Sequence, residues 1–121
     1  MRKIKFRAWN ALNKKMLDWG DIFYLPAWEI FPGTPEQRPF NIMQYTGMKD
    51  KNGREIYEGD IIEFLENESG ETWTAKIVFE NLAFKALDVE DECYEYDFDD
   101  LTDIEAIGNI YENPELLKDT K

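Results

Sequence analysis

Residues 45–64 read "YTGMKDKNGREIYEGDIIEF", a polar run punctuated by Gly53 and Gly59 that gives way to the apolar "GDIIEF". Such a stretch has three physical readings: a phosphate loop, a calcium loop, or the entrance to a β-barrel. A phosphate loop needs a second glycine followed by Lys-Ser or Lys-Thr at the opening of a helix, where N–H groups and the lysine converge on the anion. Here Arg54-Glu55 follows Gly53, and the acidic Asp60 follows Gly59. An EF-hand with Gly53 at loop position six would place Met48 at position one and Gly59 at position twelve, where carboxylates are required. The structural reading remains. "KDKNG" makes a tight turn whose Asn52-Gly53 supplies positive φ, joining "NIMQYT" to "REIYEGDII" as a hairpin. Gly59 then allows a bulge or bend just ahead of the first barrel strand.

Outward from this hairpin, period-two alternation dominates. Towards the C-terminus, "DIIEFLE", "TWTAKIVFE", "AFKALDVE", "CYEYDFD" and "IEAIGNIYE" follow at about ten-residue spacing with short turns, the pattern of a small antiparallel barrel. In the second of these, Trp73, Ala75, Ile77 and Phe79 oppose Thr74, Lys76, Val78 and Glu80. The chain ends in "ENPELLKDTK", where Asn113 reads as an N-cap, Pro114 as the first residue of a short helix, and Leu116 and Leu117 as its docking pair. Towards the N-terminus, "FNIMQYTG" reads as a strand closing at Gly47. "KIKFRAW" reads as another, with Ile4, Phe6 and Ala8 opposing Lys3, Lys5, Arg7 and Trp9. "MLDWGDIFYL" reads as a strand interrupted near Gly20. Between them, Pro26, Pro32, Pro35 and Pro39 preclude a helix or a central strand. The expected fold is mainly β, a small barrel or roll with an N-terminal β extension and a short C-terminal helix. Residues 1–121 form a single domain: 1–47 hold the N-terminal strands and proline-rich loop, and 48–121 hold the barrel strands and terminal helix.

The composition narrows the chemistry. The chain has 121 residues, one cysteine and no histidine, which removes His-based triads, His-metal sites and any intrachain disulfide. Ser69, in "ENESGE", has no nucleophile-elbow context. We therefore expect no enzyme, no cofactor and no metal. The N-terminal "MRKIKFRAWN" lacks the apolar run of a secretory signal or membrane span, so a cytoplasmic protein is expected. Net charge is −12 and unevenly spread. Residues 1–17 carry +6 with no acid, so the rest must carry −18. The stretch 88–105 holds ten acids and no base.

Three surfaces stand out. The proline-rich loop carries Trp28, Ile30 and Phe31, which either cap the core or meet a partner, since exposed aromatics demand cover. Glu95, Asp97 and Asp99 would share one strand face at a spacing too linear for a calcium cage. Lys3, Lys5 and Arg7 form a basic face of matching spacing. Pairing of the two strands would set opposite charges across from each other, within one chain or between copies of a homo-oligomer; both faces could equally be solvated. The acidic body disfavours nucleic acid, which is bound through Lys and Arg.

"KFRAWN", "YTGMKDKNGREIYEGDII" and "IGNIYENPELL" together resemble the YopX family of phage and prophage proteins. The resemblance implies an SH3-like barrel or roll, a cytoplasmic setting in an infected or lysogenic bacterium, and no catalytic residue to carry over. It casts Tyr45, Gly47, Asp50, Gly53, Tyr57, Gly59 and Asp60 as fold-defining. The functional expectation is a phage-encoded, non-enzymatic module that binds a protein or itself. The alternatives are an acidic mimic of nucleic acid that occupies a host DNA-binding protein, and a nucleic-acid binder acting through the basic N-terminal strand.

Overall fold

The computed structural model describes residues 5–22, 40–67, 69–91 and 94–117. Backbone packing divides the chain into two compact units, Met1–Tyr45 and Thr46–Lys121.

In the first unit, β1 (Phe6–Asn10) pairs antiparallel with β2 (Lys15–Leu17) and with the beginning of β3 (Phe40–Lys49). The register places Ala8 opposite Leu17 and Ile42. Ala8 is fully buried, and Phe6, Phe40 and Ile42 pack on the same small core, as the alternation of "KIKFRAW" requires. The interrupted strand expected over "MLDWGDIFYL" takes a different form. β2 stops at Leu17, and Trp19–Ile22 form a single helical turn, α1. The cause is Asp18, whose Oδ1 accepts the Asp21 N–H at 2.9 Å while Asp21 Oδ2 accepts the Asp18 N–H at 3.2 Å. This reciprocal cap satisfies helix-end donors that a strand would turn to a neighbour.

In the second unit, β3 runs on through Gly47 (φ 90°) to Lys49, two residues beyond the expected end. A hairpin leads into β4 (Glu55–Tyr57). It is closed by Gly53 N–H donating to Asp50 O at 3.0 Å and Asp50 N–H donating to Arg54 O at 2.8 Å. Positive φ is confined to Gly53 (84°) within this turn, so it is a type I turn ending in a left-handed glycine. Gly59 (φ 89°) bends the chain between β4 and β5 (Asp60–Glu66), at the expected place. A meander follows through β6 (Thr72–Glu80), β7 (Ala83–Asp88) and β8 (Glu95–Tyr96). After a one-turn 3-10 helix at Phe98–Asp100, β9 (Leu101–Asn109) returns to pair with β5.

The sheet order is therefore β8-β7-β6-β5-β9, all antiparallel, curled as a half-barrel. A four-strand meander, a 3-10 turn and a last strand returning to the first make up the SH3-like order that the family resemblance implied. Its concave face is the core: Ile62 and Phe64 from β5, Ala75 and Ile77 from β6, and Ala86, Tyr96 and Leu101, with Ile56 from β4. The terminal helix is a single 3-10 turn, Pro114–Leu117.

Candidate interaction surface

Three polar side chains of the opening stretch, Thr46, Asp50 and Asp60, are engaged with the backbone of the chain itself. Asp50 is buried, at 6% exposure. Its Oδ1 accepts the N–H groups of Asn52 and Arg54, each at 2.9 Å, and its Oδ2 accepts the Ala106 N–H at 3.0 Å. Burial alone would raise its pKa. The three N–H donors, with the nearby Arg54 charge, outweigh burial and hold the carboxyl below its ordinary value. Lys51 N–H donates to Ile104 O at 2.8 Å, so the hairpin also covers the outer edge of β9. Asp60 Oδ2 accepts the Tyr57 N–H at 2.8 Å, and Thr46 Oγ1 donates to Ile56 O at 2.7 Å.

The C-terminal motif is locked in the same way. Asn109 Oδ1 accepts the N–H groups of Tyr111 (3.0 Å) and Glu112 (2.9 Å). Asn113 Oδ1 accepts the Asn109 N–H at 3.1 Å, so Asn113 reaches back to β9. Its carboxamide lies over Gly108, where an added Cβ would come within 2.5 Å of Oδ1.

The surfaces singled out from the sequence fare differently. Trp28, Ile30, Phe31 and Lys3 lie outside the described residues. Lys5 precedes β1 with its Nζ 5.4 Å from the Tyr45 ring centroid, a cation–π distance, and Arg7 is half-buried on β1 opposite Met43. The continuous acidic strand needs correction. β8 holds only Glu95 and Tyr96, Asp97 is exposed beyond it, and Asp99 falls in the 3-10 turn with its side chain outside what is described. The three positions thus lack a common strand face. The cross-strand pairing of basic and acidic strands within the chain is also replaced: β1 takes β2 and β3 as ladder partners, and β8 takes β7. Glu95 instead meets Lys85, at 3.7 Å.

What the sheet does assemble is a hollow at one end of its concave face. Inward-facing residues alternate along each strand, and four rows reach this end together. On β5 the row Ile62-Phe64 ends in Glu66; on β6 the row Ile77-Ala75 ends in Trp73. On β7 the row Phe84-Ala86 ends in Asp88, and on the β8 side Tyr96 is followed outward by Tyr94. Glu66, Trp73, Asp88, Asp91, Tyr94 and Tyr96 line a hollow of about 280 Å³. Trp73 is 36% exposed and Tyr94 51%, so both rings present faces or edges to solvent. Phe64, Tyr96 and Tyr94 form an edge-to-face series with centroids 4.8 Å apart at each step. Trp73 and Asp88 also border a neighbouring groove of about 410 Å³, whose charged liners are Glu63, Asp88, Glu90 and Glu115.

Asp88 holds this end of the sheet in shape. It is 8% exposed, and its Oδ2 accepts the Tyr96 hydroxyl at 2.5 Å. Its Oδ1 accepts the N–H groups of Glu90 (2.8 Å) and Asp91 (3.0 Å), which turns the chain after β7. Burial, then the hydrogen bond and charge of Asp88, push the Tyr96 phenol well above its ordinary range. Tyr96 is therefore a neutral donor at any physiological pH. The sequence reading took Tyr94 and Tyr96 as one strand face but missed Glu66 and Asp88. The signal was present, because each carboxylate follows an inward apolar residue at a spacing of two. Among the described residues, no three of His, Cys, Asp or Glu gather as a metal-holding group, and no helix is long and apolar enough to cross a membrane.

None of the proteins with curated descriptions matches the chain. Several solved structures are similar, two of them as follows. Protein EF1440 from Enterococcus faecalis is 27% identical with a TM-score of 0.66, covering 98% of this chain and 100% of its own. YopX from Bacillus subtilis is 20% identical with a TM-score of 0.60, and both chains are covered in full. The sequence profile of the YopX protein family matches residues 5–118. With nearly its whole length matched, and with the motifs at both ends and the middle accounted for, the chain belongs to the YopX family.

Proposed function

We propose that this protein is a non-enzymatic protein-interaction module, encoded by a phage or prophage and working in the cytoplasm of the bacterial host. The observation that carries this reading is the aromatic and acidic end of the half-barrel. Trp73 and Tyr94 are large rings left in contact with water beside a recess, and such rings are the residues most enriched where protein interfaces concentrate their energy. The composition supports the non-enzymatic side of the reading. A chain without histidine, with one serine and one cysteine, offers few nucleophile–base pairs. The motif carboxylates Asp50 and Asp60 are spent on backbone donors. The acidic-mimic alternative keeps the net charge of −12 but loses the regular row, since Glu95, Asp97 and Asp99 do not share a strand face.

The test is affinity capture from infected or lysogenic host cells with the full-length chain as bait, beside a Tyr94→Ala/Glu66→Gln bait. Light scattering on the purified protein accompanies it. A protein retained by the first bait and lost from the second supports the module. Retention of nothing but copies of the chain itself would make it a self-assembling protein. Duplex DNA retained at low salt would count against the reading altogether.

A further inference from the structure

The end of the half-barrel carries a more specific recognition than a general sticky surface. Its six liners divide into two kinds: Trp73, Tyr94 and Tyr96 supply ring faces and edges, and Glu66, Asp88 and Asp91 supply carboxylates. Among the described residues, no lysine or arginine lines it. Aromatic rings attract cations through the negative potential of their faces, and carboxylates add charge and hydrogen-bond acceptance. Glu66 is oriented by Ser69, whose Oγ donates to Oε1 at 2.9 Å, and Asp88 is oriented by Tyr96 and two backbone N–H groups. Glu66 and Asp88 are thus held in place ahead of any ligand, and preorganisation of this kind lowers the cost of binding.

We propose that this cup receives the guanidinium group of an arginine side chain presented by the protein partner. The inference rests on the module reading above and deepens it by naming what the site recognises. Arginine fits better than lysine for two reasons of shape. Its planar head stacks on a ring such as Tyr94 or Trp73 while its edge donates to carboxylates, whereas a compact, strongly hydrated ammonium gains little from a flat wall. A hollow of about 280 Å³ is also large enough for the head and part of the aliphatic stem. A neutral ligand of the same outline would leave the ring and carboxylate field unanswered.

The experiment titrates the full-length protein with terminally blocked Gly-Arg-Gly, Gly-Lys-Gly and Gly-citrulline-Gly peptides, following the backbone and indole N–H resonances by NMR. Arginine should shift the signals of Trp73, Tyr94 and Glu66. Lysine should bind several-fold more weakly, and citrulline, of equal shape without charge, at least tenfold more weakly. Tyr94→Ala should weaken arginine binding by about threefold to thirtyfold, the range of a lost cation–π contact. Trp73→Ala risks the fold, so Trp73→Phe and Glu66→Gln serve beside it. The phenylalanine should retain most of the binding and the glutamine should lose several-fold. Citrulline matching arginine, or shifts indifferent to Tyr94→Ala and Glu66→Gln, would overturn the proposal. A captured host protein that still binds the Tyr94→Ala/Glu66→Gln bait would remove the cup and leave the module standing. Peptide binding without any captured partner would do the reverse.

Discussion

Replacing Asp50 tests the claim that the central motif builds the fold. The carboxylate accepts three backbone N–H groups, from Asn52, Arg54 and Ala106, at 2.9, 2.9 and 3.0 Å. In Asp50→Ala, the Asn52 and Arg54 donors sit in the exposed hairpin tip and can turn to water, at about 0.5–1 kcal/mol each. The Ala106 donor lies on the edge of β9, covered by the hairpin, and loses a charged acceptor worth about 1.5–3 kcal/mol. The expected loss is about 3–4 kcal/mol, a large share of a small domain's stability. Asp50→Asn should cost about half as much, because one end of the carboxamide still accepts while the other sets a donor against a donor. The pH dependence separates charge from shape. Since the folded carboxyl titrates below its ordinary value of 3.8, its contribution is complete above that value and is lost as pH falls through the lower folded one. The gap between wild type and Asp50→Asn should therefore be constant from pH 7 to 5 and shrink below 3.8. Urea unfolding followed by tryptophan fluorescence at each pH measures it, with hydrogen exchange at the Ala106 amide as a local check. Coincident unfolding midpoints for wild type and Asp50→Ala at pH 7, or unchanged protection at Ala106, would refute the reasoning.

Three further predictions follow from the same geometry. Gly108→Ala should destabilise by about 1–3 kcal/mol, because the new methyl displaces the Asn113 carboxamide and breaks its bond to Asn109; thermal unfolding reads this, and an unchanged midpoint would show that Asn113 yields freely. Leu82→Gly should stabilise by about 0.5–1 kcal/mol, since Asn81 (φ 51°) and Leu82 (φ 67°) form the β6–β7 turn in left-handed conformations and the leucine is 92% exposed. A loss of stability there would mean that the leucine makes a contact worth more than its backbone strain. Tyr96→Phe should cost about 1–3 kcal/mol in urea unfolding, as Asp88 loses its hydroxyl donor in a buried setting, with no change expected in the far-ultraviolet dichroism of the sheet.

Much of this fold was legible because strand alternation is a local signal. β6 has the same ends as its apolar–polar pattern, Thr72 to Glu80, and β5 begins at Asp60 directly after the Gly59 bend. Misreadings arose where one polar side chain redirects the backbone. Asp18 turns the residues after Leu17 into a helical turn; Asn113 keeps its expected place ahead of Pro114, its carbonyl accepting the Leu116 N–H, but its side chain reaches back to β9. The stretch from Tyr94 to Asp99 alternates as well as β6 does, yet a 3-10 turn cuts it after Tyr96, because Phe98 packs on the core from there. The candidate site was less legible for a related reason. Glu66, Trp73, Asp88 and Tyr96 come from four strands, with Asp91 and Tyr94 from the connection before β8, and what unites them is that the inward rows all terminate at the same end of the sheet. Register decides that, and no single stretch of sequence states it.

The distribution of polar groups also separates the residues that make the fold from those free to act. Asp50, Asp60, Asn109 and Asn113 are surrounded by N–H groups of their own chain, so an incoming ligand would have to displace bonds that hold strands together. Binding there would be opposed by the stability of the sheet. At the open end the balance reverses. Asp88 has its fixed donors, but among the described residues no basic liner answers its charge, and Trp73 and Tyr94 keep apolar surface in water. A cation placed there covers ring surface and answers charge without breaking a strand contact. Asp88 serves the fold as well, through Tyr96 and two N–H groups, whereas the Glu66 carboxylate, among the described residues, is tied only to the exposed Ser69 hydroxyl; on the proposal above, the Asp50 and Glu66 substitutions should therefore divide, the former acting on stability and the latter on binding.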